Sequence, residues 1–424
     1  MKKYLFFLAA AVLSSAVLSC SSDDEEVENS DETKRVVNMM SNAEPVMLTA
    51  AQKQFAADNN TFTLKFLKTV NEADQSGKSF IYSPLSITYV LGMVNDAAEG
   101  LTEKELEETL GFHEGGIQAV NEYCKTLIEG LPKVDNTVTL NMANAVFVNQ
   151  DTATLKAQYE QDMQTYYDAK AEALSFKAAN TLGHINGWCN EKTKGMIPTI
   201  LDTVNPYAVA YLLNAIYFNA NWASKFDEKN TRKETFTTEN GSTRVPLMHQ
   251  NVLINYFKND TFAAIEMPYG NGFWKMTVML PEEGRTTDDV ISELAQRGLT
   301  KAYSTYEVDL KLPRFETMSD TDDKLIGLLK KMGIRQAFDS QYAQIPNMCE
   351  QGNVYISMMR QKAAIKVNEE GSEAAAVTIA GVDFTTAIPV EIPKASFHAN
   401  RPFVYLITEA SSGVILFVGK FTGA

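Results

Sequence analysis

The hydrophobic positions of this chain follow a helical period first and strand-like periods later. Ser83-Pro84 sets an N-cap before a proline in the first turn, and predicts a helix through Leu85, Val90 and Met93. Thr102-x-x-Glu105 has the form of a capping box, and the short helix it predicts stops at Gly111. Strand signals then take over. Val138 to Val148 and the almost wholly apolar Tyr207 to Phe218 are predicted as buried central strands. Phe262 to Met267 and Trp274 to Leu280 flank Gly270-Asn271-Gly272, the pattern of a hairpin. Tyr306, Val308, Leu310 and Leu312 alternate with polar residues, so one face of a sheet is buried there. A helix is predicted near Asp322 to Met332, ending at Gly333. No repeat and no internal linker divides this run. One large α+β domain is expected, although length alone suggests about three of ~150 residues.

Composition narrows the function. The 424 residues are 45% apolar and 10% aromatic, enough for a large core, which excludes global disorder. Lys and Arg number 38 against 53 Asp and Glu, for a net charge of −15. A nucleic-acid surface needs clustered cations to displace counterions, and electrostatic docking onto anionic lipid needs them too. Neither partner is expected.

The N-terminus carries a targeting pattern. Lys2 and Lys3 precede an apolar run from Tyr4 to Leu18 that ends at Ser19-Cys20. That run is short of the ~20 residues of a spanning helix and has the order of a secretory signal. Val17-Leu18-Ser19-Cys20 resembles the lipobox of bacterial lipoproteins, which makes Cys20 the lipidated first residue of the mature chain; an ordinary signal peptide is the alternative. The acidic run Asp23-Asp24-Glu25-Glu26, with Glu28, Asp31 and Glu32, is a solvated tether. It also resembles the export signal that sends Bacteroidetes lipoproteins to the outer face of the outer membrane. The expected division is therefore 1–19 signal peptide, 20–44 lipidated acidic tether and 45–424 folded domain. Removing two lysines with the signal takes −15 to −17, and discounting the seven acids of 21–33 leaves −10.

Catalytic patterns are scarce. His113, His184, His249 and His398 are scattered, with no pair at metal-binding spacing. No nucleophile elbow, phosphate-cradling glycine loop or dinucleotide fingerprint is present. Cys124, Cys189 and Cys349 are far apart and read as small buried apolar residues. No enzyme activity, metal or cofactor is expected.

A family resemblance emerges from several motifs in order. Phe80-Ile81-Tyr82-Ser83-Pro84-Leu85-Ser86-Ile87 resembles the serpins, as does Leu213-Asn214-Ala215-Ile216-Tyr217-Phe218-Asn219-Ala220-Asn221-Trp222. Val245-Pro246-Leu247-Met248, Glu266-Met267-Pro268-Tyr269 and Leu312-Pro313-Arg314-Phe315 continue the match. Lys366-Val367-Asn368-Glu369-Glu370-Gly371-Ser372-Glu373-Ala374-Ala375-Ala376 and Phe397-His398-Ala399-Asn400-Arg401-Pro402-Phe403 are the most specific. The resemblance implies a metastable fold of three β-sheets with eight or nine helices and an exposed reactive-centre loop at about 369–396. It implies inhibition by a suicide route, in which the cleaved loop inserts into the main sheet and traps the acyl-enzyme. It further assigns Ser83, Ser86 and Asn214 to a polar cluster beneath the point where that sheet opens, and Trp222 to its top. The family's usual His of this cluster is Gln361 here, which still donates and accepts.

The loop's own residues bear on whether it can insert. The hinge is Gly371, Ser372, Glu373, Ala374, Ala375, Ala376, Val377 and Thr378. One strand face would carry Ser372, Ala374, Ala376 and Thr378, all small; the only charge, Glu373, lies on the other. No proline interrupts Gly371 to Ile388, so every ladder donor is present. Fourteen residues at ~3.3 Å each span about 46 Å. Family spacing sets the scissile bond at Thr385-Thr386, with Phe384-Thr385 as the other register. No Lys or Arg lies between Gly371 and Pro393, which argues against trypsin-like targets. Elastase-like or subtilisin-like proteases are expected, with chymotrypsin-like and papain-like ones as further candidates. The rival expectation is a non-inhibitory surface binding protein that is cleaved as a substrate. A monomer, tied to the membrane only through Cys20, is expected in either case.

Overall fold

The computed structural model describes residues 43–423, apart from 75, 239–240, 300–301, 322–323, 353 and 373–390. The chain opens with α1 (Ala50–Ala73), β1 (Phe80–Tyr82), α2 (Pro84–Ala97), α3 (Gly100–Leu110) and α4 (Gly116–Gly130). There follow β2 (Thr139–Asn149), α5 (Ala157–Tyr167), β3 (Lys170–Leu174), α6 (Thr181–Lys192) and β4 (Ala210–Asn221). The strands β5 (Arg232–Thr238), β6 (Gly241–Lys258), β7 (Phe262–Pro268) and β8 (Trp274–Pro281) come next. Then come α7 (Thr287–Arg297), β9 (Ser304–Pro313), β10 (Phe315–Asp320) and α8 (Lys324–Met332). The chain closes with β11 (Met358–Val367), β12 (Gly371–Ser372), β13 (Lys394–His398), β14 (Phe403–Glu409) and β15 (Ile415–Phe421). Eight α-helices among the described residues agree with the eight or nine expected.

The strands form two hydrogen-bonded networks. The main sheet runs β10-β11-β4-β2-β3, with β12 added to β4. The second runs β1-β15-β14-β8-β7-β6-β9-β13, with β5 on β6. Two of the three expected sheets are thus continuous, because the 18 residues of β6 serve both. Its first part pairs β5, its middle β9, and Asn255–Lys258 pairs β7.

The unbroken apolar run of β4 is explained by burial on both faces. Leu212, Ile216, Phe218 and Ala220 face the larger core, while Tyr211, Leu213 and Ala215 face Ile185, Trp188 and the 197–201 segment. The helix α2 is likewise apolar all round because the molecule encloses it; only Asp96 escapes full burial. Ser83 caps it and Pro84 is its first residue, as predicted.

Two expectations need correction. The helix α3 starts at Gly100 after Glu99, with no side-chain cap, and Thr102 and Glu105 form no capping box. A tertiary contact takes their place. Gln344 Oε1 accepts from Leu101 N at 2.8 Å, and Thr102 Oγ1 accepts from Gln344 N at 2.9 Å. Glu105 instead receives the amides of Arg335 and Gln336, both at 2.7 Å. The strand β4 begins at Ala210; Tyr207 is solvent-exposed, its amide turned onto Asn205 Oδ1. The stop at Gly111 (φ 87°), the β7–β8 hairpin and the buried face of β9 match the sequence reading. Cys124, Cys189 and Cys349 are buried free thiols.

The hairpin turn has one position that only glycine can occupy. Gly270 has φ 44°, and a Cβ there would drive into Asp135 Oδ2, which accepts from Asn271 N at 2.7 Å. Gly270→Ala is expected to cost about 2–3 kcal/mol, from positive-φ strain plus the clash. A urea unfolding curve checks this, and the companion Asp135→Ala should make the two costs less than additive.

Candidate functional site

The site is a seam in the main sheet. The strands β11 and β4 run parallel and pair from Met358↔Tyr211 to Ala363↔Ile216. Beyond that point each keeps its outer partner. Ala364–Val367 stay on β10, and Tyr217–Asn219 stay on β2. Among the described residues, no pairing joins β4 to β11 above Ala363. At the mouth the chain leaving β11 turns back and lays Gly371 and Ser372 against Asn221 and Ala220 in the antiparallel sense. The strand β12 therefore points down between two parallel strands and is antiparallel to both.

Dense bonding holds the turn that aims β12. Asn368 Oδ1 accepts from Glu370 N (3.0 Å) and Gly371 N (3.1 Å), an Asx turn. Gly371 has φ 145°, and a Cβ would strike Ala220 O, so this approach requires glycine. Trp222 N donates to Glu370 O (2.8 Å), and Trp222 Nε1 to Asn368 O (3.0 Å). The Trp222 ring stacks on Tyr269 with centroids 4.3 Å apart, and Tyr269 Oη bonds Ser372 Oγ at 3.0 Å. Lys225 pairs with Glu370.

Glu369 is the strongest of these anchors. Its side chain is 2% exposed and receives Arg314 Nε at 3.0 Å, Arg314 Nη2 at 2.5 Å and Thr231 Oγ1 at 2.6 Å. Burial pushes its carboxyl up, but the Arg314 and Thr231 donors outweigh that and hold it below the usual range. The same pair raises Arg314.

A second polar group lies at the paired end of the seam. Gln361 and Asn214 are cross-strand partners in β11 and β4, with Gln361 Nε2 donating to Asn214 Oδ1 at 3.3 Å. Gln361 also makes two bonds to the backbone of Ser83, at 3.0 and 2.9 Å. Ser83 Oγ reaches Leu416 O at 2.7 Å and lies 3.1 Å from Ser86 Oγ. Asn144 and Thr321 complete the set through Asn214 and the Gln361 backbone. All six side chains are buried.

The structure thus brings Ser83, Ser86, Asn214 and Gln361 together, and puts Trp222, Gly371 and Ser372 at the opposite end of the seam. Glu373, Ala374, Ala375, Ala376, Val377, Thr378, Phe384, Thr385 and Thr386 lie outside the described residues, as does Cys20. Sequence reasoning missed the Glu369–Arg314–Thr231 clamp. Its partners come from separate motifs, and no spacing rule links positions 55 and 138 residues apart. Among the described residues no group of three or more His, Cys, Asp or Glu is arranged to hold a metal.

Glu369→Ala is expected to release the turn and cost about 1–3 kcal/mol, less than a fully buried pair because Arg314 can turn to solvent. Limited proteolysis beside Gly371 should become several-fold faster. The depressed carboxyl contributes stability that is present above the unfolded value of about 4.3 and is lost as pH falls through the lower folded value. Wild-type hinge protection should therefore fall below about pH 4, and the variant should lack that step.

Comparisons with known proteins agree with this architecture. The family model described as Serpin (serine protease inhibitor) matches residues 57–423. An uncharacterized serpin-like protein of Thermococcus kodakarensis is 30% identical over 365 residues, covering 85% of this chain and 84% of that protein. Human serpin B8 is 31% identical over 376 residues, covering 86% and 98%. Among solved structures, the thermophilic serpin tengpin in its native state superposes with TM-score 0.78 at 27% identity, covering 90% of this chain and 97% of that one. Human thyroxine-binding globulin gives 0.76 at 25%, covering 88% and 98%.

Proposed function

This chain belongs to the serpin family, and from that premise we propose that it is a suicide-substrate inhibitor of serine proteases. A protease attacks the segment that follows β12. The cleaved segment enters the main sheet before the acyl-enzyme is hydrolysed. Serpin loop insertion is an example of strand addition to a sheet, and the proposal carries that mechanism over from the family. What supports it for this chain is the seam, with β12 already pointing into it between two strands whose facing edges have parted.

Register favours entry. Gly371↔Asn221 and Ser372↔Ala220 set a pairing which, continued, puts Ala374 opposite Phe218, Ala376 opposite Ile216 and Thr378 opposite Asn214. Phe218 and Ile216 face the larger core, so the small face of the segment meets the packed side. Thr378 would bring a hydroxyl to the amides of Asn214 and Gln361. That cluster would then act as the latch that must part for full entry, and a buried hydroxyl there would find partners. The Glu373 face follows Asn219 and Tyr217, away from that core. Twelve residues of β4 are available as a template.

Specificity follows from the sequence. With Thr385-Thr386 as the bond, small-pocket proteases of the elastase or subtilisin type are the targets; Phe384-Thr385 would recruit chymotrypsin-like ones. Papain-like cysteine proteases share the acyl-enzyme logic and are further candidates. A trypsin-like pocket would bury its carboxylate without a partner. The chain acts as a monomer, is lipidated at Cys20, and is carried by its acidic tether at the outer face of the outer membrane.

The test mixes the purified domain from Asn38 with elastase or subtilisin. A denaturant-resistant adduct and a released peptide beginning at Thr386, read by gel and intact mass, are expected. Clean cleavage without an adduct, repeated with chymotrypsin and papain, would replace this reading with the substrate-like binding protein. Ala376→Arg should still be cleaved but lose the adduct at least tenfold, since a guanidinium on the core face costs several kcal/mol during entry.

A further inference from the structure

The segment that follows β12 returns to the fold at β13, the edge strand of the second sheet. Inside, β13 buries Phe397; outside, it presents Lys394, Ser396 and His398. Three strands meet on that outer face. Asp309 of β9 accepts from His249 Nε2 of β6 at 2.7 Å and from His398 Nε2 of β13 at 2.8 Å. An ionised carboxylate only accepts, so each Nε2 carries its proton and each Nδ1 is the place for a second one. The three side chains are 37–40% exposed, so solvent protons reach them.

We propose that His249, Asp309 and His398 form a proton-operated clip that sets how firmly β13 is held to its sheet. When the imidazoles gain their second protons, each hydrogen bond to the Asp309 carboxylate, already assisted by the anion's charge, becomes an ion pair with charge on both partners and is strengthened. Imidazole is the side chain whose charge ordinarily changes between pH 5 and 8. Burial pushes the Asp309 carboxyl up, but the two histidine donors hold it below the usual range, so it remains an anion through that window.

The other charged groups on this face have partners of their own. Lys311, in register with both histidines, is paired with Glu234 of β5 at 3.0 and 2.8 Å. Glu307 of β9 is paired with Lys394 of β13 at 2.9 Å. Arg232 of β5 bonds the Lys229 and Thr231 carbonyls. The sign is therefore fixed: the clip tightens towards mild acid and slackens towards alkali.

Chain length gives β13 its importance, on the reading proposed above. Residues 373–393 join β12 to β13. Glu369, beside β12, is clamped to Arg314, which directly follows β9, so β13 lies at the mouth end of the seam. If the uncut chain filled the seam with fourteen of these residues it would descend about 46 Å, and the seven left before Lys394 reach back only about 23 Å. Full entry without cleavage therefore requires β13 to peel away. The clip is a brake on that self-consumption, and mild acid sets it harder.

The test is amide hydrogen exchange of β13 at pH 6.0 and 8.0, corrected for intrinsic rates, with β14 and β15 as internal references. It needs no protease, so its outcome is independent of whether trapping occurs. Wild-type β13 should be protected about three- to tenfold more at pH 6.0. His249→Gln with His398→Gln keeps amide donors to Asp309 but removes titration, and should bring that ratio to about one. His398→Gln alone serves if the double variant fails to fold, and should lower the ratio. An unchanged ratio in these variants, or no pH effect in the wild type, would overturn the clip.

Discussion

The whole arrangement depends on an unclosed parallel pairing. Backbone amides and carbonyls must be partnered wherever water is excluded, and a central sheet strand meets that demand with a neighbour on each side. Here β4 and β11 satisfy each other only as far as Ala363 and Ile216. Above that, each has one partnered edge and one edge facing the seam. The antiparallel pairing of Gly371 and Ser372 with β4 begins to meet that need. The turn bonds to Trp222, Arg314 and Thr231 set the direction in which any continuation would run.

The two ends of the seam are held by different chemistry. At the mouth the fastening is ionic and aromatic: Glu369 with Arg314, Glu370 with Lys225, Trp222 on Tyr269. At the paired end it is a neutral, fully buried set of hydroxyls and amides around Gln361. A network of neutral groups can exchange one partner for another without exposing a charge to a low-dielectric interior, whereas a buried ion pair separated there would face a large desolvation penalty. Farther along, Lys362 reaches Thr199 O at 2.8 Å and Arg360 pairs with Asp202 and Asp320, so the segment after α6 is tied across β11. Parting the strands fully would have to displace those surface pairs as well.

Much of this was legible in the sequence, and the limits are physical. The strand β4 announced itself because burial on both faces leaves little polar alternation to blur the signal. The Ser83-Pro84 helix start and the Gly111 stop are local chemistry, and local chemistry reads well. The supposed capping box at Thr102 failed because a partner more than 200 residues away, Gln344, supplied a better acceptor and donor than the helix itself. Ser83, Ser86, Asn214 and Gln361 could be grouped only through the family resemblance, since nothing in their spacing brings them together. The Arg314–Glu369 clamp and the His249–Asp309–His398 group stayed hidden for the same reason. Four histidines scattered along a chain look idle until three strands from distant regions lie side by side.

The direction of β12 has a consequence for the economy of the molecule. A strand entering the seam from the mouth would exchange one set of parallel bonds for two antiparallel ladders, the somewhat more stable kind. Reversing the exchange would mean breaking both ladders together, an uphill step. Each copy could therefore act once, like a fuse rather than a switch. Protection would then scale with the number of molecules made and not with their turnover, and replenishment by synthesis would be the quantity open to control.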